Sequence, residues 1–328
     1  MKRLLMVTIA LAMVVGCAKM SEPTGTAVST RDGKACSYTD PGVGSNGAAA
    51  WGNDFKTWLN NNGYSDIASS EGWGGKAYST DCSAVYDPVI FVHGNGDYAQ
   101  SWSSVRSEFR NTYGYYPSEL YAIGWGLKGL SNTAYNHHKA DYMTKIRRLI
   151  AAVKAYTGKS QVDVIAHSMG VTLARKAIVG GNAYNTYDRS GTPVNLGSSI
   201  KTSVDTFVGI AGGNRGLNSC GWWDGGTAVA TYTCWANGLS IDNPFIDDLT
   251  YGSAGQVATY IYSIKSWVDE VVCYPSFPTY CYVWSVHTSD INGQTGTKSY
   301  STAPYGHFGV RDYTAGVQKS MVLNHTIP

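Results

Sequence analysis

The chain has 328 residues, a length that suits one large domain or two modest ones. Only 15% of its residues are charged and its formal net charge is +2, which argues against a nucleic-acid partner. A hydrophobic content of 43% excludes general disorder, and seven cysteines leave one over after pairing.

Lys2 and Arg3 precede Leu4 to Val15, a run apolar except for Thr8. The run is too short to span a bilayer and reads as the core of an export signal over residues 1–16. The Val14-Val15-Gly16-Cys17 stretch resembles a bacterial lipobox. That resemblance implies cleavage before Cys17 and a lipid on its thiol, hence a membrane-anchored lipoprotein at the bacterial cell envelope. An ordinary secretory signal, giving a secreted protein, is the alternative. Loss of residues 1–16 leaves 23 basic against 23 acidic residues, so no electrostatic partner is implied.

Residues 17–50, rich in Ser, Thr, Gly and Ala, read as a tether, and residues 51–87 as an N-terminal extension packed on the core. A short helix is expected over Asn53 to Asn61, with Phe55, Trp58 and Leu59 on one face. From residue 88 to 328 the pattern is that of one larger domain. Val89 to Val92 and Leu120 to Ile123 are short apolar strands. Residues 139–156 carry helical spacing that Gly158 stops. Val162 to Ala166 is a buried strand that runs through Ser168 into a helix ending near Ala177. Phe207 to Ala211 and Val257 to Ile264 are later strands, and residues 312–323 a final helix. An aromatic-rich insertion occupies about 217–256. Alternating strands and helices with wholly apolar strands predict an α/β fold, a mostly parallel sheet with helices on both faces.

The chemistry centres on Ala166-His167-Ser168-Met169-Gly170. A serine on a sharp strand-to-helix turn needs small residues two positions either side, and this pentapeptide is an Ala variant of G-x-S-x-G. A serine hydroxyl needs a positioned base, an orienting acid and donors for the developing oxyanion. Met169 N–H at the helix start and Asn95 N–H in His93-Gly94-Asn95-Gly96 are the expected donors. His93 and His167 are expected to hold structure rather than move protons. In chain order the acid follows a late strand and the base follows the acid. Asp269 is the expected acid, with Glu270 separable from it only by geometry. Asp242, Asp247 and Asp248 read as solvated loop charges. His307, in a loop before the last helix, is the expected base. His287 comes too early and His325 too late.

The stretches PVIFVHGNGDY (88–98), VKAYTGKSQVDVIAHSMGV (153–171) and IAGGNRGLNSC (210–220) resemble extracellular polyhydroxybutyrate depolymerases of the AHSMG type, which group with the class 2 bacterial lipases of the α/β-hydrolase superfamily. The resemblance implies the same roles: Ser168 as nucleophile, Asp269 as acid, His307 as base, Asn95 and Met169 as oxyanion donors.

Once Cys17 is set aside, six cysteines remain. Export favours disulfides, and proximity suggests Cys220–Cys234, Cys273–Cys281 and Cys36–Cys82 among fifteen pairings. No CxxC or HxxxH spacing supports zinc and no Asp-rich loop suggests calcium, so no metal or cofactor is expected. Trp222, Trp223, Tyr232, Trp235, Tyr251, Tyr260, Tyr262, Trp267, Tyr274 and Tyr280 crowd the later segments. Some are expected to face solvent as a contact surface for a hydrophobic ester, with Tyr260 and Tyr262 in the core. The expectation is a monomeric serine hydrolase of polyhydroxybutyrate or a related hydrophobic ester. Triacylglycerol lipase or short-chain carboxylesterase is the alternative, and a non-catalytic binding lipoprotein a remoter one.

Overall fold

The computed structural model describes residues 26–31, 34–225, 231–250, 256–274 and 278–328, with side chains described from residue 37 onward. In chain order, a hairpin of β1 (Thr26–Arg31) and β2 (Lys34–Thr39) precedes β3 (Ala49–Trp51), α1 (Asn53–Asn61), α2 (Ser65–Ala68) and β4 (Gly72–Gly74). Then come β5 (Val89–Val92), α3 (Ser103–Asn111), β6 (Leu120–Ile123), α4 (Ala140–Thr157), β7 (Val162–His167) and α5 (Met169–Val179). Two short ribbon strands, β8 (Asn182–Ala183) and β9 (Val194–Asn195), lead to β10 (Val204–Ile210), α6 (Pro244–Thr250) and β11 (Tyr260–Ser266). A second ribbon, β12 (Tyr282–Val283) and β13 (Val286–His287), precedes β14 (Gly296–Tyr300), α7 (Gly309–Asp312) and α8 (Ala315–Asn324).

Eight strands form one sheet in the order β14-β11-β10-β7-β5-β6-β4-β3. Every neighbouring pair is parallel except β4 with β6. The strand side chains alternate between two cores. Ile90, Val92, Val164, Ala166 and Phe207 face α1, α4 and α5, while Val89, Phe91, Ile165, Val208 and Ile210 face α3 and α8. Burial on both faces explains why these strands read as unbroken apolar runs. Chain order reverses between β5 and β7, and clefts in such sheets open at the carboxyl ends of strands flanking that point.

Several boundaries depart from expectation. The strand expected from Val257 begins at Tyr260, because the chain before it turns, with Val257 buried as a core residue instead. The single helix expected over 312–323 is two, broken at Tyr313-Thr314. Within the segment read as a tether, Thr26–Arg31 and Lys34–Thr39 pair as antiparallel strands and Ala49–Trp51 is an edge strand. Asp40, at the end of the hairpin, is buried and ion-paired to Arg106 and Arg110 of α3. Residues 51–87 are not simply laid on the core; β4 extends the sheet itself. Gly72-Trp73-Gly74 is wholly buried, and a Cβ on Gly72 would lie 2.3 Å from the Trp51 ring. A strand built on such close approach carries no hydrophobic pattern to read.

Cys220–Cys234 and Cys273–Cys281 are disulfides, as expected. Cys82 is also disulfide-bonded; Cys36, its expected partner, has its side chain outside the described residues, as do Cys17 and Tyr251 altogether. Among the described residues, no helix is long and apolar enough to cross a membrane.

Candidate active site

Ser168 follows β7 directly and precedes α5. Its backbone is left-handed at φ 55, and its N–H donates to Ile210 O at 2.8 Å. A non-glycine residue held there is strained, and a packed surround must impose it. The surround leaves no room for side chains. A Cβ on Gly170 would sit 2.2 Å from His93 O, and one on Gly94 2.9 Å from Ser168 Cβ. Ala166 is fully buried, so the small residues of the pentapeptide answer to real contacts.

His307 Nε2 lies 3.0 Å from Ser168 Oγ, and its Nδ1 lies 2.9 and 3.0 Å from the two Asp269 oxygens. With Nδ1–H donating to Asp269, Nε2 is left to accept the serine proton. Asp269 is buried, and its Oδ1 also accepts from the N–H groups of Val271 and Val272 at 2.9 and 2.8 Å. The Cys273–Cys281 disulfide ties the same loop four residues after Asp269. Glu270 does not touch the ring; its Oε2 accepts from the His307 main-chain N–H at 2.9 Å. Geometry thereby separates the two neighbouring acids.

His287 and His325 take no part in the Asp269–His307–Ser168 line, as expected, but Asp247 and Asp248, read as solvated loop charges, lie half-buried in α6, where burial raises the Asp247 pKa. His287 is buried behind the site, bonded to Ser266 O, and His325 pairs with Asp205 at 2.8 Å near the end of the chain. Asp242 accepts from Trp284, and Asp248 pairs with Arg189 at 3.1 Å. Cys273, Cys281 and His287 come within ligand distance of one another, but the two sulfurs are joined in the disulfide.

Asn95 and Met169 flank the serine from the two turns. The Asn95 side chain is committed elsewhere, donating to Thr133 O at 2.9 Å and accepting from Asn136 at 2.7 Å. Met169 is the first residue of α5, where an N–H has no intrahelical acceptor. Neither main-chain N–H meets a protein acceptor among the described residues, so both are available to an anion. His93 fixes the first turn: its Nδ1 bonds Gly94 O at 2.7 Å, its Nε2 accepts from Trp125 N–H, and its ring stacks on Trp125. Burial, with the Lys128 charge beside it, lowers its pKa to about 3, so it stays neutral. His167 is likewise driven well below the usual histidine range, by burial first and by His307 second.

Sequence reasoning missed the residues that join the loops. Asn136 holds both Asn95 and Leu127. Arg311 reaches from α7 to Asp97 at 2.6 Å, linking the turn after β5 to the segment after His307. Leu127, Leu130 and Tyr135, on the loop bonded to Asn95, are exposed, as are Tyr232, which packs on Tyr135, and Phe308, which follows His307. Of the expected aromatics, Trp222, Tyr232 and Tyr280 are exposed, Tyr262 is core, and Tyr260 is half-buried against His325.

The family model for lipase (class 2) matches residues 86–320, most of the chain and all of this site. The chain belongs to the class 2 lipase family. It is thus a lipase/esterase-type α/β-hydrolase by family and by fold. Solved structures similar to it include Aspergillus fumigatus lipase B, at 17% identity and TM-score 0.49 over 74% of this chain and 54% of that one. The mature form of Bacillus licheniformis lipase BlEst2 is 12% identical at TM-score 0.48, over 76% and 96%. A truncated carbohydrate esterase from gut microbiota is 14% identical at TM-score 0.46, over 78% and 89%. The chain spans about half the length of the Aspergillus lipase.

Proposed function

We propose that this class 2 lipase-family protein is a serine hydrolase that cleaves carboxylic esters of hydrophobic substrates through an acyl-enzyme. The observation that carries the reading is the unbroken chain of hydrogen bonds from Asp269 through His307 to Ser168. Ser168 Oγ attacks the ester carbonyl while His307 Nε2 takes its proton. The oxyanion is received by the N–H groups of Asn95 and Met169. His307 returns the proton to the departing alcohol, and Asp269 stabilises the imidazolium in between. Water, deprotonated by the same histidine, then releases the acid and restores Ser168.

The substrate class is read from exposed apolar groups on the loops that carry the site. Leu127, Leu130 and Tyr135 are exposed on the loop tied to Asn95 through Thr133, exposed Tyr232 packs on Tyr135, and exposed Phe308 adjoins His307. Such a surface favours a water-insoluble ester over a small polar one. Within that class, polyhydroxybutyrate is the first choice, by the resemblance of the three sequence blocks. Triacylglycerols are the second. Amorphous polyhydroxybutyrate granules, triacylglycerols of graded chain length and p-nitrophenyl esters separate the readings. Granule clearing supports the depolymerase; good tributyrin turnover without clearing replaces it with lipase.

We also propose export and anchoring through a lipid on Cys17. A Cys17→Ser variant is expected to leave the membrane fraction, and its continued partitioning there would refute the anchor.

A further inference from the structure

We propose that Glu270 and His167 are positioning residues, which grip the main chain of His307 from both sides and thereby aim its ring between Asp269 and Ser168. The proposal rests on the reading of His307 as the base.

His307 lies in a loop, where no helix or strand bonding fixes its backbone. Its main-chain polar groups are taken up by side chains instead. Glu270 Oε2 accepts from its N–H at 2.9 Å, and His167 Nε2–H donates to its carbonyl at 2.9 Å. Each partner adjoins a residue that touches the ring. Glu270 follows Asp269, which holds Nδ1, and His167 precedes Ser168, which faces Nε2. The acid loop therefore holds the histidine at ring and backbone with consecutive residues, and the nucleophile turn does the same from the opposite side.

Two details show that the grip is built in. A Cβ on Gly306 would lie 2.4 Å from Glu270 Oε2, so a side chain there would push the carboxylate off the His307 N–H. His167 is buried with its ring 4.6 Å from that of His307, and its Nδ1 has no protein partner among the described residues. The bond to the His307 carbonyl is thus what its polar ring does in the protein. A misplacement of about 1 Å in a reacting group costs roughly 100-fold in rate, which sets the scale of what such a grip protects.

The test compares paired variants in steady-state hydrolysis of a p-nitrophenyl ester. Glu270→Ala and His167→Leu remove the two bonds. Glu270→Gln keeps an acceptor, and His167→Gln keeps an N–H at the place of Nε2. The removing variants are expected to lower kcat by about tenfold or more with KM within about twofold. The Gln variants should recover most of that loss. The double variant Glu270→Ala/His167→Leu should lose less than the product of the singles, because both act on one residue. Melting temperatures read beside the rates distinguish this from unfolding. Glu270 is exposed, so its pair carries the test alone if His167→Leu does not fold. Wild-type kcat in Glu270→Ala, or Gln variants as slow as the removals at unchanged Tm, would overturn the proposal. His307→Ala runs in parallel. If it retains turnover, the reading of the base falls first; if it is inactive while Glu270→Ala is wild-type, only the grip falls.

Discussion

The two ends of strand β7 are built on opposite principles. At the carboxyl end, Ser168 is strained in its backbone, while its hydroxyl is held in a hydrogen-bonded line through His307 to Asp269. At the other end the backbone is ordinary and the charge is not matched. Asp163 is buried with one oxygen accepting from Thr206 N–H at 3.1 Å, and burial, then Asp205 and Asp87, push its carboxyl well above the usual range. Lys159 pairs with the neighbouring Asp87 and His325 bonds Asp205, and no cation pairs with Asp163 among the described residues. Within this one strand, the backbone strain lies at the end that carries the nucleophile, and the buried carboxyl that burial keeps from ionising lies at the other. Changes at the carboxyl end should therefore alter rate, and changes at the amino end should alter stability.

Asp269→Asn is the sharpest way to break that division. It keeps the shape but favours the wrong histidine tautomer, and kcat is expected to fall about 10⁴-fold with Tm nearly unchanged. A large Tm loss with modest rate loss would make the carboxyl end structural instead.

Acid should act next most strongly, through the buried histidines. His93 and His138 both have folded pKa values lowered to about 3, by burial. Below the unfolded value of about 6.5 the unfolded chain takes up protons that the folded chain refuses, so stability falls as pH falls toward 3. Each histidine contributes about 1.4 kcal/mol per pH unit over that window. Thermal melts from pH 7 to 4 check it, and a flat profile would deny the neutrality of both rings.

Gly170→Ala places a methyl against His93 O and should displace the serine turn. A loss of about 100-fold in kcat is expected, alongside a modest drop in Tm. Normal kinetics would show the turn to be more tolerant than its contacts suggest.

The smallest effect belongs to the amino end. The raised pKa of Asp163 means that the folded chain holds a proton the unfolded chain releases, so its contribution to stability declines as pH rises above about 3.8. Asp163→Asn should raise Tm at neutral pH, by less at pH 4, and leave kcat untouched. A rate change would breach the separation between the two ends.

Much of this was legible in the sequence because the physics left a pattern. Strands buried on both faces read as apolar runs, and Gly158 marks the end of α4 with a left-handed φ of 72. Ser168, Asp269 and His307 could be chosen because a nucleophile turn and the order of its partners constrain where each must stand. What left no pattern was structure built from backbone contact. β14, Gly-Thr-Lys-Ser-Tyr, is a half-exposed edge with no apolar alternation, and β4 depends on glycines that admit neighbouring chain. Glu270 and Asn136 bond main-chain groups, which any sequence presents, so nothing marks them before the loops are brought together.

The most direct measurement is labelling with a fluorophosphonate probe, located by peptide mass spectrometry and paired with ester turnover. One modified residue is expected, Ser168, with labelling and hydrolysis both abolished in Ser168→Ala and labelling suppressed in His307→Ala. Labelling at another serine, or hydrolysis that persists in Ser168→Ala, would contradict it.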